Sequence, residues 1–281
     1  MRIFEQYPAS TRKAGIQAMN SILERLDLAG MRLEEGYVIA QLHRFLMDLH
    51  HALLAIGEDK NAQYLDVSCG SGIVPMLLRS LGYKHIHMTD VLDYNVTDFG
   101  IRTGYLPLFD FSLKPCDVMQ DKLPFADASM DAVSFMDVIE HLHGSPKRVL
   151  EEIFRVLKPG GRLMISTPNS VSLRHRLALL VGVTNYTPIP YFYQAPFPYY
   201  GHIREYTMSE LTYCLRMAGF QIKKQVHYST FFKDFFRLEN RHLVRKSIPM
   251  APKNVARMAL WSVTTVLVPM RDSLAVIAQK P

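Results

Sequence analysis

The stretch FMDVIEHLHG (residues 135–144) joins an apolar run to side chains that can do chemistry. The apolar residues stop at Asp137, and Glu140 and His141 follow within four positions. Carboxylates and imidazoles are costly to bury unless a partner or a bound group compensates them. If residues 138–142 begin a helical turn, the three side chains stand at i, i+3 and i+4 and share one face. The spacing therefore predicts a polar site at the end of a buried strand.

Two carboxylates and an imidazole form a hard, mixed set of oxygen and nitrogen ligands. Magnesium, manganese, iron and zinc are each compatible with such a set. A fourth ligand is available in GHIREY (201–206). The candidate metal ligands are therefore Asp137, Glu140, His141 and His202. Without a metal, either histidine would act as a general base, because imidazole ionises near neutral pH. Glu140, His141 and His202 are thus also the candidate catalytic residues.

The same residues have a purely structural interpretation as well. Glu140 would then cap the following helix or form an ion pair with Arg204. His143, next to Gly144, is expected at the surface in either case. The sequence leaves the metal-bound, metal-free and structural interpretations open.

Composition and charge set wide limits on the function. The chain has 281 residues, of which 48% are hydrophobic and 21% charged, enough for one large domain with appendages. A net charge of +6 and a pI near 9.1 permit an anionic partner without requiring one. The three cysteines are widely spaced and form no zinc pattern, so reduced thiols are expected.

Two further features of the sequence favour a cytoplasmic protein. The start, MRIFEQYPASTRKAG, lacks the uninterrupted apolar core of a secretory signal. The most apolar later segment, residues 255–270, is shorter than the roughly 20 residues that span a bilayer.

Short strand-like runs alternate with helical patterns through most of the chain. Strands are predicted at 62–67, 85–90, 131–136, 162–167, 220–228 and 273–280. Helices of ten or more residues between strands predict an α/β fold, a doubly wound parallel sheet covered on both faces. We expect a helical N-terminal cover at 1–60, a core at 61–230, and a helical insertion with the final strand at 231–281.

Two segments break this alternation. Residues 169–206 show no clear element but are rich in tyrosine, phenylalanine and proline, and we expect them to form a loop over the acceptor. Residues 231–270 mix apolar and basic residues. This insertion would serve as a dimer contact, as a second core, or as a peripheral membrane contact.

A glycine-rich turn, LDVSCGSG (65–72), follows the first core strand. Gly70 and Gly72 would let the backbone turn tightly and approach a ligand, whereas Pro75 breaks the dinucleotide fingerprint. Acids stand near this turn and at the ends of later segments, at Asp66, Asp90 and Asp117. Such acids would repel a phosphate but suit a cationic nucleoside with a ribose diol, such as S-adenosylmethionine.

Four segments together carry a resemblance to a known family: YLDVSCGSG, CDVMQDKLPFADASMDAVSFMDVIEHL, RVLKPGGRLMISTPN and GHIREYTMSELTYCLRMAGF. In this order they resemble class I S-adenosylmethionine-dependent methyltransferases, especially O-methyltransferases of the ubiquinone-biosynthesis type. The resemblance covers about residues 60–228 and the last strand. It implies a seven-stranded Rossmann-like sheet and S-adenosylmethionine as cofactor.

The resemblance also implies roles for individual residues. Asp66, Gly70 and Gly72 match the glycine motif of the cofactor site, Asp90 the acid that binds the ribose, and Asp117 the residue near the adenine amine. Two more residues are expected at the cofactor, namely Ser68 and Asp137. Ser68 stands where the motif usually has its first glycine, and we expect serine to fit only if its backbone stays at negative φ.

The candidate metal ligands resemble a second pattern, D/E-x-x-E-H with a distant histidine. O-methyltransferases of ubiquinone-type catechols and of the 3′ ends of small RNAs carry it and bind a metal there. Asp137 stands where glutamate is usual, which would weaken the site or reduce it to three ligands.

The expected function is methyl transfer to an oxygen of a small-molecule, saccharide or lipid-like acceptor. One alternative is 2′-O-methylation of a terminal ribose in RNA, although the chain lacks a basic run. Another is a non-catalytic, cofactor-binding subunit of a partner enzyme. A homodimer is compatible with each of these.

Overall fold

The computed structural model describes residues 7–29, 35–91, 108–111, 113–196, 199, 201–229, 263–264 and 267–281. Within these stretches the helices are α1 (Ala9–Leu28), α2 (Glu35–Ile56), α3 (Ile73–Ser80), α4 (Lys147–Val156), α5 (Leu173–Leu180), α6 (Ile189–Gln194) and α7 (Met208–Met217). The strands are β1 (Gln63–Val67), β2 (His85–Asp90), β3 (Leu113–Pro115), β4 (Met130–Met136), β5 (Leu157–Pro168), β6 (Gln221–Tyr228) and β7 (Ser273–Gln279).

The strands form one seven-stranded sheet in the order β3-β2-β1-β4-β5-β7-β6. Neighbours from β3 to β5 pair in parallel, so their carboxyl ends meet at one edge. β7 runs antiparallel to both β5 and β6. The expected doubly wound α/β sheet is therefore present, but the prediction of an all-parallel sheet was wrong for β7. The final strand, β7, lies between β5 and β6, which both precede it in the sequence. The hydrophobic pattern of a strand does not show in which direction the strand runs.

Alternate residues of the central strands enter two separate cores. Tyr64 of β1 belongs to one cluster with buried residues of α1, α2 and α3. Leu65, the next residue, belongs to the other cluster with α4 and α7. Successive side chains of a strand point to opposite faces, so each central strand packs against helices on both sides. Burial on both faces fixes the strand register and hence the positions of the residues at the strand ends.

Two element predictions need correction. The segment 169–206 was expected to lack regular structure, but it contains α5 and α6. Neither helix has a buried residue, so the apolar stripe that identifies most helices is missing there. The strand predicted at 162–167 begins at Leu157 instead. The predicted turn at 159–161 lies inside β5, where the register of its pairing with β4 shifts.

The predicted basic insertion lies mostly outside the described residues. Among the helices that are described, none combines the length and the hydropathy needed to cross a membrane.

Candidate functional site

The chain leaves β1 through a turn with two left-handed glycines. Gly70 has φ 53° and Gly72 has φ 64°, and α3 begins at the following residue, Ile73. A Cβ added at Gly70 would meet no atom within 4 Å. The turn therefore leaves its backbone open at the carboxyl edge of the sheet, where such folds bind ligands.

Ser68 adopts a conformation that the sequence did not predict. Its φ is 55°, in the left-handed region, so the expectation of a negative φ was wrong. A residue with a Cβ is strained there by about 1–2 kcal/mol relative to its right-handed conformation. Strained residues of this kind cluster at ligand sites, where the surrounding structure holds them in place.

Asp90, at the end of β2, is tied directly to this turn. One carboxylate oxygen accepts the Gly70 N–H at 2.8 Å and the other accepts the Val91 N–H at 2.7 Å. These two hydrogen bonds hold the carboxylate against the backbone at the start of the turn and at the end of β2. The predicted ribose acid thus lies beside the predicted glycine motif.

Asp66 lies beneath the turn rather than at its surface. It is only 3% exposed, and its carboxyl accepts a short hydrogen bond from the Ser134 hydroxyl, which accepts one from Tyr64 at 2.7 Å. Burial raises the pKa of Asp66 to about 7, against the effect of the Ser134 hydrogen bond. The side chain of Asp66 therefore lies below the turn and is tied to β4 through Ser134.

Asp117 lies two residues beyond β3, whose last residue pairs with Asp90 in the sheet register. Its carboxylate is half-buried and accepts the Met119 N–H at 2.9 Å and the Gln120 amide at 2.7 Å. The acids that end or follow β1, β2 and β3 therefore occupy one edge of three adjacent strands. This donor and acceptor set fits a cationic nucleoside with a diol.

Asp137 faces α2, not the other candidate metal ligands. It follows the last residue of β4 and has φ 51°, accepts a hydrogen bond from Ser166 at 3.0 Å, and lies 3.0 Å from an Arg44 guanidinium nitrogen. Within the described chain, the group with metal-ligand spacing contains the other three candidates only. The structure does not bring Asp137 into that group.

Arg44 and Asp48 are site residues that sequence reasoning missed. Arg44 contacts Asp137 and lies 3.6 Å from Asp48, which is 2% exposed. Burial raises the pKa of Asp48 to about 8 although Arg44 opposes the shift. The available signal was a pair of charged residues at i and i+4 inside the apolar pattern of α2.

Glu140, His141 and His202 converge, although the spacing had grouped Glu140 and His141 with Asp137 and had offered His202 only as a distant fourth ligand. Glu140 and His141 lie in a 3-10 turn, Ile139–His141, directly after β4. One ligand atom from each of the three lies within 4.8 Å of the others, and the two imidazole rings meet edge to face at 4.9 Å. The cluster has the spacing of a donor set for a metal and also contains two bases beside an acid.

Glu140 is almost fully buried, and within the described chain only one of its two carboxyl oxygens has a hydrogen bond. One carboxyl oxygen accepts the Thr167 hydroxyl at 3.0 Å, whereas the other has no hydrogen-bond partner among the described residues. Burial, with Asp137 nearby, raises the pKa of Glu140 well above its usual range. An unpaired buried oxygen is costly. This oxygen lies 3.9 Å from His141 Nε2, so a bound group between the two would complete its hydrogen bonding.

The main chain of Glu140 fixes the distant histidine beside it. Its carbonyl accepts the N–H groups of Ile203 at 2.7 Å and Arg204 at 3.1 Å. The guanidinium of Arg204 donates to Glu210 at 2.9 Å, so the structure does not support the structural alternative in which Arg204 pairs with Glu140. His143 is exposed, as predicted.

Glu205 holds His202 in position, a role that no sequence pattern indicated. Its carboxylate lies 2.9 Å from His202 Nδ1, and its other oxygen contacts His175 Nδ1 and the Asn185 amide, each at 3.4 Å. Burial acts to raise the pKa of Glu205, but the hydrogen bond with His202 and both imidazole charges outweigh it and the pKa is lowered. With Nδ1 engaged, Nε2 is the nitrogen of His202 left for a ligand.

Comparison with known proteins identifies the family. Residues 38–225 match the family described as "Methyltransferase domain". A probable S-adenosylmethionine-dependent methyltransferase of Mycolicibacterium smegmatis is 37% identical over 210 residues, which cover 73% of this chain and 69% of the relative. The chain belongs to the S-adenosylmethionine-dependent methyltransferases. The resemblance inferred from the four sequence segments is confirmed.

Other relatives of this methyltransferase are matched over shorter lengths. The ubiquinone/menaquinone biosynthesis C-methyltransferase UbiE of Bartonella quintana is 33% identical over 151 residues, which cover 52% of this chain and 54% of UbiE. The chain spans about half the length of most of the curated relatives. A methyltransferase structure from Archaeoglobus fulgidus superposes with a TM-score of 0.52 at 17% identity, covering 88% of this chain and 95% of that one, and so shares the fold.

Proposed function

We propose that this methyltransferase methylates an oxygen of a small-molecule, saccharide or lipid-like acceptor beside Glu140, His141 and His202. The observation that carries the proposal is the convergence of these three side chains within 4.8 Å. They lie at the carboxyl edge of the same sheet as the glycine turn, two strand ends from Asp90 in the strand order. An acceptor hydroxyl placed there would meet groups able to orient it and to take its proton.

S-adenosylmethionine is proposed to bind along the ends of β1, β2 and β3. The open turn at Gly70 and Gly72 would accommodate close backbone approach, with Ser68 in the same turn. Asp90 would accept the ribose hydroxyls, and Asp117 would lie toward the adenine. Two further acids, Asp66 and Asp137, would add negative charge near a cationic ligand.

The reaction is a displacement at the methyl carbon of the sulfonium. Bound S-adenosylmethionine would supply the methyl group, which would pass from sulfur to the acceptor oxygen and leave S-adenosylhomocysteine and a methyl ether. The acceptor's proton moves to Nε2 of His202, whose Nδ1 is held by Glu205 at 2.9 Å. Holding the oxygen in line with the methyl group supplies much of the rate enhancement. Proton transfer to a positioned base contributes further.

The cluster also fits a divalent metal. Glu140 offers an unpaired buried oxygen, and His141 and His202 offer imidazole nitrogens, a donor set that suits manganese, iron or zinc. When bound, such a metal would lower the pKa of an acceptor hydroxyl. Asp137 would serve as a neighbour rather than as a fourth ligand.

Methylation at carbon is the second candidate, because UbiE is named as a C-methyltransferase. Removing a proton from an activated carbon acid requires a positioned base just as removal from a hydroxyl does. The two reactions give different products, since an ether and a new carbon–carbon bond are distinguished by mass fragmentation.

The first experiment is transfer of label from S-adenosylmethionine into fractionated cell extract, with and without a chelator. Label in the organic, aqueous small-molecule or RNA fraction would identify the class of acceptor. Loss of label with chelator and recovery with manganese would assign Glu140, His141 and His202 as ligands. Label that is indifferent to chelator would leave them as base and positioning groups. Purified protein that binds S-adenosylmethionine but labels nothing would contradict the proposed reaction.

Substitutions in the cluster separate the two roles. His202→Asn should lower kcat about 100-fold, the usual contribution of a positioned base. Glu140→Gln keeps the shape of a protonated carboxyl. It should cost little activity in a metal-free site but abolish activity together with metal content in a metal site. His143→Asn, at an exposed histidine nearby, is the matched control and should leave kcat unchanged.

A further inference from the structure

The segment that contains α5 and α6 exposes an unusual amount of apolar surface. Of the eighteen large hydrophobic residues exposed in the described chain, ten lie between Leu177 and Tyr193. Leu180 is 81% exposed, Val181 77% and Tyr193 86%. Single exposed hydrophobic residues are normal, but a concentration of this kind marks an interaction surface.

The apolar side chains belong to ordered elements. The N-cap of α5 is Ser172, whose hydroxyl accepts the His175 N–H at 3.4 Å. Phe192 of α6 packs edge to face on Tyr199, with ring centroids 5.0 Å apart. Both helices therefore present apolar and aromatic side chains outward from a fixed backbone, although neither helix buries a residue.

The charge of this surface identifies its occupant. Arg174 and Arg176 are exposed on α5, and the sequence contains no acidic residue between Glu152 and Glu205. Apolar and aromatic residues with neighbouring arginines are the composition of segments that lie in the interface of a bilayer. The absence of carboxylates matches the negative surface potential of anionic lipids.

The surface is joined to the candidate active site. His175 of α5 and Asn185, which follows α5, both contact Glu205 at 3.4 Å, and Glu205 holds His202. α5 and the segment that follows it are therefore linked through Glu205 to His202, one member of the Glu140, His141 and His202 cluster.

We propose that α5 and α6, with the residues between them, form a docking surface for an anionic lipid bilayer and that the acceptor enters from the lipid phase. The contact with the bilayer is independent of the reaction, whereas delivery of a lipid-phase acceptor rests on the proposed function. This surface lies within residues 173–194 and is therefore distinct from the membrane contact predicted at 231–270.

The test is flotation of the full chain with vesicles of phosphatidylcholine, alone or mixed with phosphatidylglycerol. We expect binding to the mixed vesicles that weakens with salt. The double variant Leu180→Ser, Val181→Ser and the single variant Tyr193→Ser should each bind about tenfold more weakly, because they remove apolar area that the bilayer would bury. Arg174→Gln with Arg176→Gln should remove the preference for phosphatidylglycerol.

Met217→Ser is the matched control, since Met217 is 69% exposed on α7, outside the proposed surface. It should leave vesicle binding unchanged, and S-adenosylmethionine binding by calorimetry should be equal in all variants. Equal binding of wild type and the Leu180 variant to vesicles would overturn the proposal. Concentration-dependent self-association that the same substitutions abolish would assign the surface to a second copy instead.

The experiments distinguish an error in the proposed reaction from an error in the proposed docking surface. Vesicle binding that depends on Leu180 and Tyr193, without a methylated lipid-phase product, would keep the docking surface and overturn delivery of the acceptor. Methyl transfer that proceeds equally with and without vesicles, in protein that does not bind them, would keep the reaction and overturn the surface.

Discussion

At the scale of single residues, Ser68 gives the cleanest test of backbone strain. Its φ of 55° costs about 1–2 kcal/mol for a residue with a Cβ, and glycine would remove that cost while adding some entropy to the unfolded chain. Ser68→Gly should therefore raise the free energy of unfolding by about 0.5–1 kcal/mol in urea titration. Ala128→Gly, at φ 49° far along the sequence from the turn, should do the same. A loss of stability at Ser68 alone would show that its hydroxyl stabilises the fold.

The candidate residues at strand ends could be predicted, whereas their partners could not. Asp90 and Glu140 follow short apolar runs, and parallel strands bring their carboxyl ends to one edge. Arg44 reaches Asp137 only because α2 packs over the end of β4, and Glu205 reaches His202 only through a local turn. Both contacts depend on tertiary packing and side-chain direction, which one sequence does not specify.

At the scale of elements, α7 illustrates a helix whose start is fixed by its sequence. The Thr207 hydroxyl accepts the Glu210 N–H at 3.2 Å, and the Glu210 carboxylate accepts the Thr207 N–H at 2.8 Å, a complete capping box. Thr207→Ala should lower the free energy of unfolding by about 1 kcal/mol. Chemical denaturation with an unchanged m-value is the measurement.

The N-cap of α5 provides the matched comparison for that change. α7 buries Leu211 and Leu215 in the second core, while α5 buries no residue. Ser172→Ala should therefore fray α5 with a smaller loss of global stability than Thr207→Ala causes. Equal losses would mean that α5 is coupled to the core as strongly as α7.

The same contrast explains which elements the sequence predicted. The predicted strands and α7 carry regular apolar spacing because they pack against a core on at least one side. α5 and α6 expose their apolar residues and bury none of them against a core, so their sequences lack the apolar spacing from which a helix is predicted. The sequence predicted β7 as a strand but did not predict that it runs antiparallel to its neighbours. The direction of a strand depends on the path of the chain that precedes it.

At the scale of the whole molecule, buried carboxyls between α2 and the sheet contribute to the pH dependence of stability. Burial raises the pKa of Asp48 to about 8 and of Asp66 to about 7, from 3.8 in each case. Between about pH 4 and about pH 8 the folded chain therefore holds more protons than the unfolded chain. This stabilising contribution is complete below about pH 4 and is lost as the pH rises through the folded-state values.

The corresponding prediction is a falling free energy of unfolding between about pH 6.5 and pH 8, by at most about 1.4 kcal/mol per pH unit for each group. Below about pH 6.5 the buried His43 and His51 oppose this slope, because burial lowers their pKa values to about 4 and about 3 and the unfolded chain then holds more protons at these sites. Asp48→Asn keeps the site neutral and should flatten this slope. Glu152 is the matched opposite case, because its hydrogen bond with Arg155 lowers its pKa. Glu152→Gln should remove stability that is present above about pH 5, without changing the slope above that pH. If Asp48→Asn left the slope intact, Asp48 would be ionised in the folded chain, and Arg44 would form a buried ion pair with it as well as with Asp137.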